Sequence, residues 1–344
     1  HLRLIKVMKI LIIGPSWVGD SVMAQTLYKR LKDEEPSCTI DVISPEWSLP
    51  LMQRMPEVSK VITSPYSHGD IHILSRYRFG KNLRKYNYDR AIILTNSLKS
   101  SLIPFFADIP IRTGWLGELR YFLLNDIRHL KKEINSLMVE KFAALSIQKN
   151  NFSLKNLTFP SLDINVENQR EYLEKFCINS DLPSLGICPG AEFGPSKKWP
   201  AQYFSEVAKE YVSRGWNVIC FGSKNDTETG RKLETFNGLG DENKFYNLIG
   251  MTSLVDVVDL LAHCKRVVTN DSGLMHVAAA VKTPLVALYG PSSPEYTPPL
   301  IDNKKVIRKM DGYQKIRKGQ NVDGYHHSLL SIKPAEVMSA LEAI

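Results

Sequence analysis

The sequence has no apolar run of the ~18 residues that a membrane-spanning helix needs. Its first seven residues, HLRLIKV, lack the long apolar stretch and the small-residue cleavage site of a signal peptide. The five cysteines are scattered and form no CxxC pair: Cys38, Cys177, Cys188, Cys220 and Cys264. This pattern argues against a disulfide framework and favours a reducing compartment, so we expect a cytoplasmic protein.

Several motifs of catalysis and binding are also missing from the sequence. There is no HExxH, no Cys/His spacing typical of zinc and no GxSxG elbow. There is no Asp-x-Asp, so a diphosphate bridged by a metal between paired aspartates is unsupported, and we expect neither a metal nor a cofactor. No helix-turn-helix, RNA-recognition or zinc-finger signature is present, so we expect no nucleic-acid partner.

The charge is modestly one-sided. Lys and Arg number 44 against 36 Asp and Glu, a formal net charge of +8. This excess favours an anionic partner such as a nucleotide, a phosphorylated glycan or an anionic membrane face, without choosing among them.

The chain alternates short apolar runs with helical patterns, which is typical of βα units on a parallel sheet. The length of 344 residues favours two domains, and the alternation weakens in the polar stretch 150–168, the best candidate for a linker. We therefore predict an N-terminal domain over 8–165, a C-terminal domain over 166–332 and a final amphipathic helix over 333–344.

The first candidate site is GPSWVGDS, residues 14–21, directly after the first predicted strand. It is neither GxGxxG nor a P-loop, because Asp20 and Ser21 stand where a P-loop has Lys and Ser or Thr. A carboxylate at a helix start is kept ionised by the helix dipole and suits a general base. Asp is equally a favoured helix cap, so spacing alone leaves both interpretations of Asp20 open.

Two further candidates follow strands of the second half. The segment PGAEFGPSKKWP, residues 189–200, combines a Gly-rich turn with two lysines and can cradle a pyrophosphate, although an ordinary solvated loop fits its composition equally well. The segment TNDSGLMH, residues 269–276, places free N–H groups at a helix start, a natural anion site. His276 on that helix is by itself more typical of a core residue than of a catalyst.

A fourth candidate lies near the C-terminus. The loop YGPSSPEYTP, residues 289–298, follows the last strong strand, and a basic cluster follows over 304–318. The cluster could meet anionic lipid or glycan phosphates, or it could be a solvated basic face.

Taken in order, GPSWVGD, PGAEFGPSKKWP, TNDSGLMHVAAA and LYGPSSP resemble the ADP-heptose:lipopolysaccharide heptosyltransferases of glycosyltransferase family 9. The resemblance runs from about Met8 to the final helix. It implies an α/β GT-B fold, in which two Rossmann-like domains face a central cleft, with the acceptor on the first domain and the nucleotide sugar on the second. It also implies inverting transfer of heptose from ADP-heptose to the first heptose of a Kdo2–lipid A core. Members of the same family with a different acceptor, heptosyltransferases I and III, are the alternative.

The resemblance also assigns roles to single residues. Asp20 matches the proposed catalytic base, and Lys197 matches the lysine that stabilises the departing diphosphate. Asp226 matches an acidic residue at the ribose, and Met251 an apolar residue at the adenine. The remaining residues of the donor site would be Gly190, Asp271, Ser272, Gly273, Leu274 and His276.

The acceptor contacts are predicted from charge alone. The candidates for Kdo carboxylates and core phosphates are Lys99, Arg112, Arg120, Lys315, Arg317 and Lys318. The resemblance implies that the final helix packs back on the N-terminal domain. A lipid-borne acceptor and the basic excess together predict a transient contact with the cytoplasmic face of an anionic inner membrane.

Overall fold

A computed structural model describes residues 6–66, 70–129, 137–147, 157–321 and 323–344. The chain divides into two compact units, His1–Pro160 and Ser161–Ile344. Residues 1–5 of the N-terminal segment discussed above and residues 150–156 of the predicted linker lie outside the described residues.

The first unit is built on a six-stranded sheet in which every strand pairing is parallel. Its strands are β1 (Lys9–Ile13), β2 (Thr39–Ser44), β3 (Lys60–Thr63), β4 (Arg90–Ile93), β5 (Ile111–Trp115) and β6 (Asp126–Arg128). Its described helices are α1 (Val18–Glu34), α2 (Leu49–Met52), α3 (Ile73–Leu83), α4 (Leu98–Phe106) and α5 (Met138–Ala143). The strand order across the sheet is β3-β2-β1-β4-β5-β6.

The second unit repeats this plan with a second parallel sheet of six strands. Its strands are β7 (Ser184–Cys188), β8 (Asn217–Cys220), β9 (Phe245–Asn247), β10 (Arg266–Asn270), β11 (Leu285–Tyr289) and β12 (Lys304–Arg308). Its described helices are α6 (Val166–Lys175), α7 (Ala201–Ser213), α8 (Thr227–Thr235), α9 (Leu254–His263), α10 (Gly273–Ala280), α11 (His327–Leu330) and α12 (Pro334–Glu342). The strand order is β12-β11-β10-β7-β8-β9.

Counted within each unit, both sheets have the order 3-2-1-4-5-6 that characterises Rossmann folds. The order reverses between β1 and β4 in the first unit and between β7 and β10 in the second. Open α/β sheets bind ligands outside the carboxyl ends of the strands at this reversal. The predicted pair of Rossmann-like domains is confirmed, and each has one such ligand-binding edge.

The central strands are apolar along their whole length because helices cover both faces of a parallel sheet. Residues 10–13 of β1 are buried, as are all five residues of β7. Helix α7 turns Phe204, Val207, Ala208 and Tyr211 inward at the spacing of one helical face. These side chains pack in one apolar cluster with the fully buried Trp199 and the inner face of the second sheet.

The boundary between the units falls after Pro160 rather than after residue 165. The reason lies in Asn165, whose backbone N–H donates to Asp259 Oδ1 of α9 at 2.8 Å. Its side chain also caps α6 by accepting from the N–H groups of Glu167 and Asn168. The segment before α6 is therefore fixed to the second unit.

The final helix, α12, belongs to the second unit. Its fully buried residues Val337 and Leu341 lie in the same apolar cluster as α7. The apolar face of this helix is thus part of the core of the second domain, and its packing back on the N-terminal domain stays a prediction.

The predicted basic cluster over 304–318 has two structurally different parts. Its first part is the strand β12, paired in parallel with β11 at the edge of the second sheet. Its second part, which contains Lys315, Arg317 and Lys318, is an exposed loop. In the described part of the chain, no helix is both long enough and apolar enough to cross a bilayer.

Candidate active site

The candidate donor site of the second unit lies at the carboxyl ends of β7 and β10, where the strand order reverses. The two strands are neighbours, with Thr269 paired to Cys188. The chain leaves β7 through the Gly-rich turn 189–197 and leaves β10 through Asp271 and Ser272. The sheet thus brings together two sequence motifs that lie about 80 residues apart, as is expected of neighbouring parallel strands in such folds.

Helix α10 begins at this edge. Ser272 stands at its N-cap in extended conformation, and its side chain makes no capping hydrogen bond among the described residues. The first N–H groups of a helix have no acceptor within the helix and point out of its N-terminus. The N–H groups at the start of α10, including those of Gly273 and Leu274, therefore form a site suited to an anion such as a diphosphate.

Lys197 and Asp271 join the two turns. The Lys197 ammonium lies 2.6 Å from Asp271 Oδ2, and the Asp271 side chain is only 5% exposed. Lys197 ends a short 3-10 turn, Pro195–Lys197, that follows Gly194 at a φ of +143°, a conformation that favours glycine. The carboxylate fixes the direction of the ammonium, so a cation is held at the start of α10.

Asn270 is a residue of this site that sequence reasoning missed. Its fully buried amide accepts a hydrogen bond from the N–H of Trp199 at 2.9 Å. It also donates to the carbonyl of Pro189 at 2.8 Å. The amide therefore holds the turn after β7 against the end of β10. The sequence feature that could have revealed Asn270 is its position within the predicted donor motif, between Thr269 and Asp271.

Asp226 lies in the turn after β8, next to Gly190. Its Oδ2 accepts from the N–H and the hydroxyl of Ser223, and its Oδ1 lies 3.0 Å from the Lys198 ammonium. A β-carbon at residue 190 would lie 2.5 Å from Asp226 Oδ2, so only glycine allows this approach. Asp226 is at the predicted edge of the sheet, buried and already hydrogen-bonded, and its ribose contact stays a prediction.

Met251 and His276 differ sharply in exposure. Met251 follows Gly250 in the turn after β9, and 58% of it is exposed, which is unusual for a large apolar side chain and compatible with a ligand surface. His276 is buried in α10, and burial lowers its pKa to about 4, against a weaker opposing effect of Asp271. The imidazole is therefore neutral at neutral pH, and Lys197 is the cation of this turn.

The loop with Lys315, Arg317 and Lys318 contacts the donor turn. The hydroxyl and N–H of Ser196 donate to the carbonyls of Ile316 and Arg317, at 2.5 and 3.1 Å. The Phe193 ring lies between two cations, 5.3 Å from Lys197 Nζ and 5.6 Å from the Arg317 guanidinium carbon. This places the basic loop beside Lys197, which favours a role near the leaving group, and its acceptor role stays a prediction.

Asp20 lies at the corresponding edge of the first unit, in the first turn of α1 after β1. It is not the N-cap, because that position is occupied by Trp17. The half-buried carboxylate therefore lies within the positive end of the helix, which stabilises its ionised form. Lys99, in the first turn of α4 after β4, is at the same edge of the sheet.

Two predicted acceptor residues, Arg112 and Arg120, have hydrogen-bond partners within the domain. Arg120 is fully buried, and its guanidinium donates to the carbonyls of Thr95 and Trp115. Burial lowers its pKa to about 10, which still leaves it charged at neutral pH. Arg112 donates to the carbonyls of Ile109 and Leu123, both at 2.7 Å, so two of its donor groups are already satisfied within the domain. Contact of these residues with an acceptor stays a prediction.

The chain has two Rossmann-type domains. One has a helix N-terminus and a lysine suited to an anion, and the other has a carboxylate at a helix start. This combination is typical of α/β proteins that bind a nucleotide-linked substrate. The sequence model of the family described as glycosyltransferase family 9 (heptosyltransferase) matches residues 76–326. The chain belongs to this family and is a glycosyltransferase with the GT-B fold.

Relatives along the whole chain agree with this assignment. Lipopolysaccharide heptosyltransferase 2 of Escherichia coli (strain K12) is 49% identical over 343 residues, and the alignment covers 98% of each chain. Lipooligosaccharide heptosyltransferase 2 of Haemophilus influenzae is 47% identical over 347 residues, covering 98% of this chain and 99% of the relative. The solved structure of E. coli ADP-heptose LPS heptosyltransferase II superimposes with a TM-score of 0.89 at 45% identity, covering 98% of both chains.

Proposed function

We propose that this enzyme transfers L-glycero-D-manno-heptose from ADP-heptose to the first heptose of the Kdo2–lipid A inner core. The observation that carries the proposal is the Lys197–Asp271 pair at the start of α10, a site for a diphosphate. The identity of 49% over the whole length to a heptosyltransferase 2 supports this acceptor over those of heptosyltransferases I and III.

The proposed reaction is a single displacement with inversion. The acceptor hydroxyl oxygen attacks the anomeric carbon while Asp20 takes the hydroxyl proton, and the bond from that carbon to the ADP oxygen breaks. The electron pair of that bond leaves with ADP, whose growing negative charge is stabilised by Lys197 and by the first N–H groups of α10. The roles of Asp226 at the ribose and Met251 at the adenine belong to the same proposal.

The five free cysteines are compatible with the reducing cytoplasm in which we place the enzyme. Its acceptor would be carried by lipid at the cytoplasmic face of the inner membrane.

The test is a transfer assay with ADP-heptose and two acceptors, Kdo2–lipid A and its mono-heptosylated form. We expect transfer to the heptosylated acceptor alone. Asp20→Asn should lower kcat by about 10²–10⁴-fold, because it removes the base and keeps the shape. Asp33→Asn is the matched control, since Asp33 is an exposed carboxylate on the same helix.

Lys197→Met should lower kcat/KM by about 10²–10³-fold, because the leaving diphosphate loses its cation. Lys209→Met removes a more exposed lysine of the same domain and should retain activity. Transfer to Kdo2–lipid A instead would identify a heptosyltransferase I. Full activity of Asp20→Asn would exclude Asp20 as the base.

A further inference from the structure

The first domain exposes a set of large apolar side chains. Phe122 is 90% exposed and Leu119 is 81% exposed, both in the turn after β5. On α3, Ile73, Leu74 and Tyr77 are exposed at the spacing of one helical face. We call this set, completed by Tyr121, the apolar face of the first domain: Ile73, Leu74, Tyr77, Leu119, Tyr121 and Phe122. Exposed apolar surface of this extent marks an interaction site.

The turn that carries Leu119 and Phe122 is firmly anchored. Arg120, between them, points inward and donates to the carbonyl of Thr95 at 2.7 Å and to Ser101 Oγ at 3.2 Å. The carboxylate of Glu118 accepts from the N–H of Leu98 at 2.7 Å. Glu118 and Leu119 adopt φ values of +44° and +55°, which are unfavourable for such residues. A buried guanidinium and a strained backbone thus hold the apolar tips outward.

Side-chain contacts connect α3 to this turn. The Tyr77 ring lies 5.3 Å from that of Phe106, and Phe106 lies 5.6 Å from Phe105. The guanidinium carbon of Arg112 is 5.5 Å from the Phe105 ring, and its Nε donates to the carbonyl of Leu123. A series of contacts through α4 and Arg112 therefore links Tyr77 on α3 to the turn.

The charge around this face is mainly positive. Residues 70–122 contain nine Lys or Arg and four acidic residues. Arg78, Lys81 and Lys85 are exposed on or just after α3. Apolar side chains that alternate with basic ones are typical of helices lying in the boundary of an anionic bilayer.

We propose that the apolar face docks the first domain on a bilayer with anionic headgroups, with Leu119, Tyr121 and Phe122 entering the acyl boundary. The proposal rests on the proposed function, which gives the enzyme a lipid-borne acceptor. Thr95, which anchors the turn, follows β4 at the same edge of the sheet as Asp20. Docking here would therefore present the acceptor to the catalytic edge. A bilayer fits better than a second copy, because a symmetric contact would bring two basic faces together.

Vesicle flotation of the whole chain tests the docking. We expect binding to vesicles of phosphatidylethanolamine and phosphatidylglycerol, and little to phosphatidylcholine alone. The double variant L119S/F122S should bind about tenfold more weakly, because it removes two inserting side chains. The control V166S/Y313S removes two exposed apolar side chains of the second domain and should bind as the parent does.

Charge reversal by R78E/K81E should abolish the preference for anionic vesicles. The proposal is overturned if the parent fails to float with anionic vesicles, or if the two double variants bind alike. It is also overturned if L119S/F122S dissolves a dimer seen without lipid, since the face would then join two copies.

Activity assays with two acceptors distinguish a failure of the docking proposal from a failure of the proposed function. L119S/F122S should transfer normally to a deacylated heptosylated Kdo2 acceptor and should lose about tenfold in kcat/KM with the acceptor in vesicles. A parent enzyme that heptosylates neither acceptor would refute the proposed function, whereas vesicle binding would still be decided by flotation. Equal loss on both acceptors would refute docking through this face.

Discussion

His276 shows how one buried side chain sets the charge of the donor turn. The imidazole lies in α10 close to Asp271 and Lys197, and burial lowers its pKa to about 4. A second cation at this helix start would repel Lys197 and compete for Asp271. Keeping the imidazole neutral leaves Lys197 as the partner of Asp271, the arrangement on which the proposed mechanism depends.

This buried histidine should make stability depend on pH. The unfolded chain binds a proton at His276 near pH 6.5, whereas the folded chain does so only near pH 4. The contribution of the neutral imidazole is therefore fully present above pH 6.5 and is lost as the pH falls towards 4. Between about pH 7 and pH 5, protonation of His276 should lower the free energy of unfolding of the parent protein by about 2 kcal/mol. The variant His276→Gln should lack this part of the decrease.

Urea denaturation at several pH values measures this effect. His129→Gln, at an exposed histidine, is the control and should keep the dependence of the parent protein. An unchanged pH dependence in His276→Gln would show that the buried imidazole is not the source.

At the residue scale, the sequence predicts well where a motif follows a strand and poorly where charge is the only guide. Lys197 and Asp271 meet because their motifs follow neighbouring strands, which the βα pattern already implied. For Arg120, the charge gave no indication that the side chain is buried and donates to main-chain carbonyls, so its acceptor contact stays a prediction. Asn270 was overlooked because its two hydrogen bonds depend on contacts that only the folded sheet creates.

At the scale of elements, the predicted alternation of strands and helices is present, and strands without a clear apolar run lie at the sheet edges. Central strands such as β1 and β7 read as apolar runs because both faces are buried. Strand β12, with the sequence KKVIR, is an edge strand whose exposed basic residues resemble a solvated loop and protect the edge from further pairing. Strand β6 has three residues, too few for a pattern.

Helix α6 was hidden for a related reason. It lies partly in the polar stretch that resembled a linker, and Leu173 is its one buried side chain. The helix is therefore fixed by its capped N-terminus and by polar contacts to α9 rather than by an apolar face that periodicity could reveal. Among these contacts, the Asn168 amide donates to Asp259 Oδ2 at 2.7 Å.

Helix α12 offers a test at this scale. Leu341 is fully buried in the core of the second domain, so Leu341→Ala should lower the free energy of unfolding by about 2–5 kcal/mol. Ser339→Ala, at an exposed position of the same helix, should change it by less than about 0.5 kcal/mol. Chemical denaturation followed by circular dichroism measures both, and equal stability of the two variants would contradict the assigned packing.

At the scale of the whole molecule, each unit has an apolar core and a sheet of its own. The proposed donor-binding residues, from Gly190 to His276, all lie in the second unit. The energy of ADP binding should therefore stabilise the second domain in particular.

Calorimetry can show whether ADP stabilises the second domain alone. We expect two unfolding transitions, one for each domain. ADP at about 100 times its Kd should stabilise the second domain by about 2.7 kcal/mol. For a domain of this size, that corresponds to a Tm increase of about 5–10 °C. Leu341→Ala should lower the Tm of the same transition, and Lys197→Met should reduce the shift caused by ADP. A single transition that moves as a whole would contradict independent domains.

The repeated strand order has a consequence for how such an enzyme can arise and diverge. The turn after the first strand of each sheet delivers the charged residue on which the proposed chemistry depends: Asp20 after β1 and Lys197 after β7. The same strand order, present in both halves, thus supplies opposite charges from equivalent places. In the proposed mechanism, the halves differ in task through a few residues near these two strand ends, so a change of sugar or acceptor requires changes in one half alone.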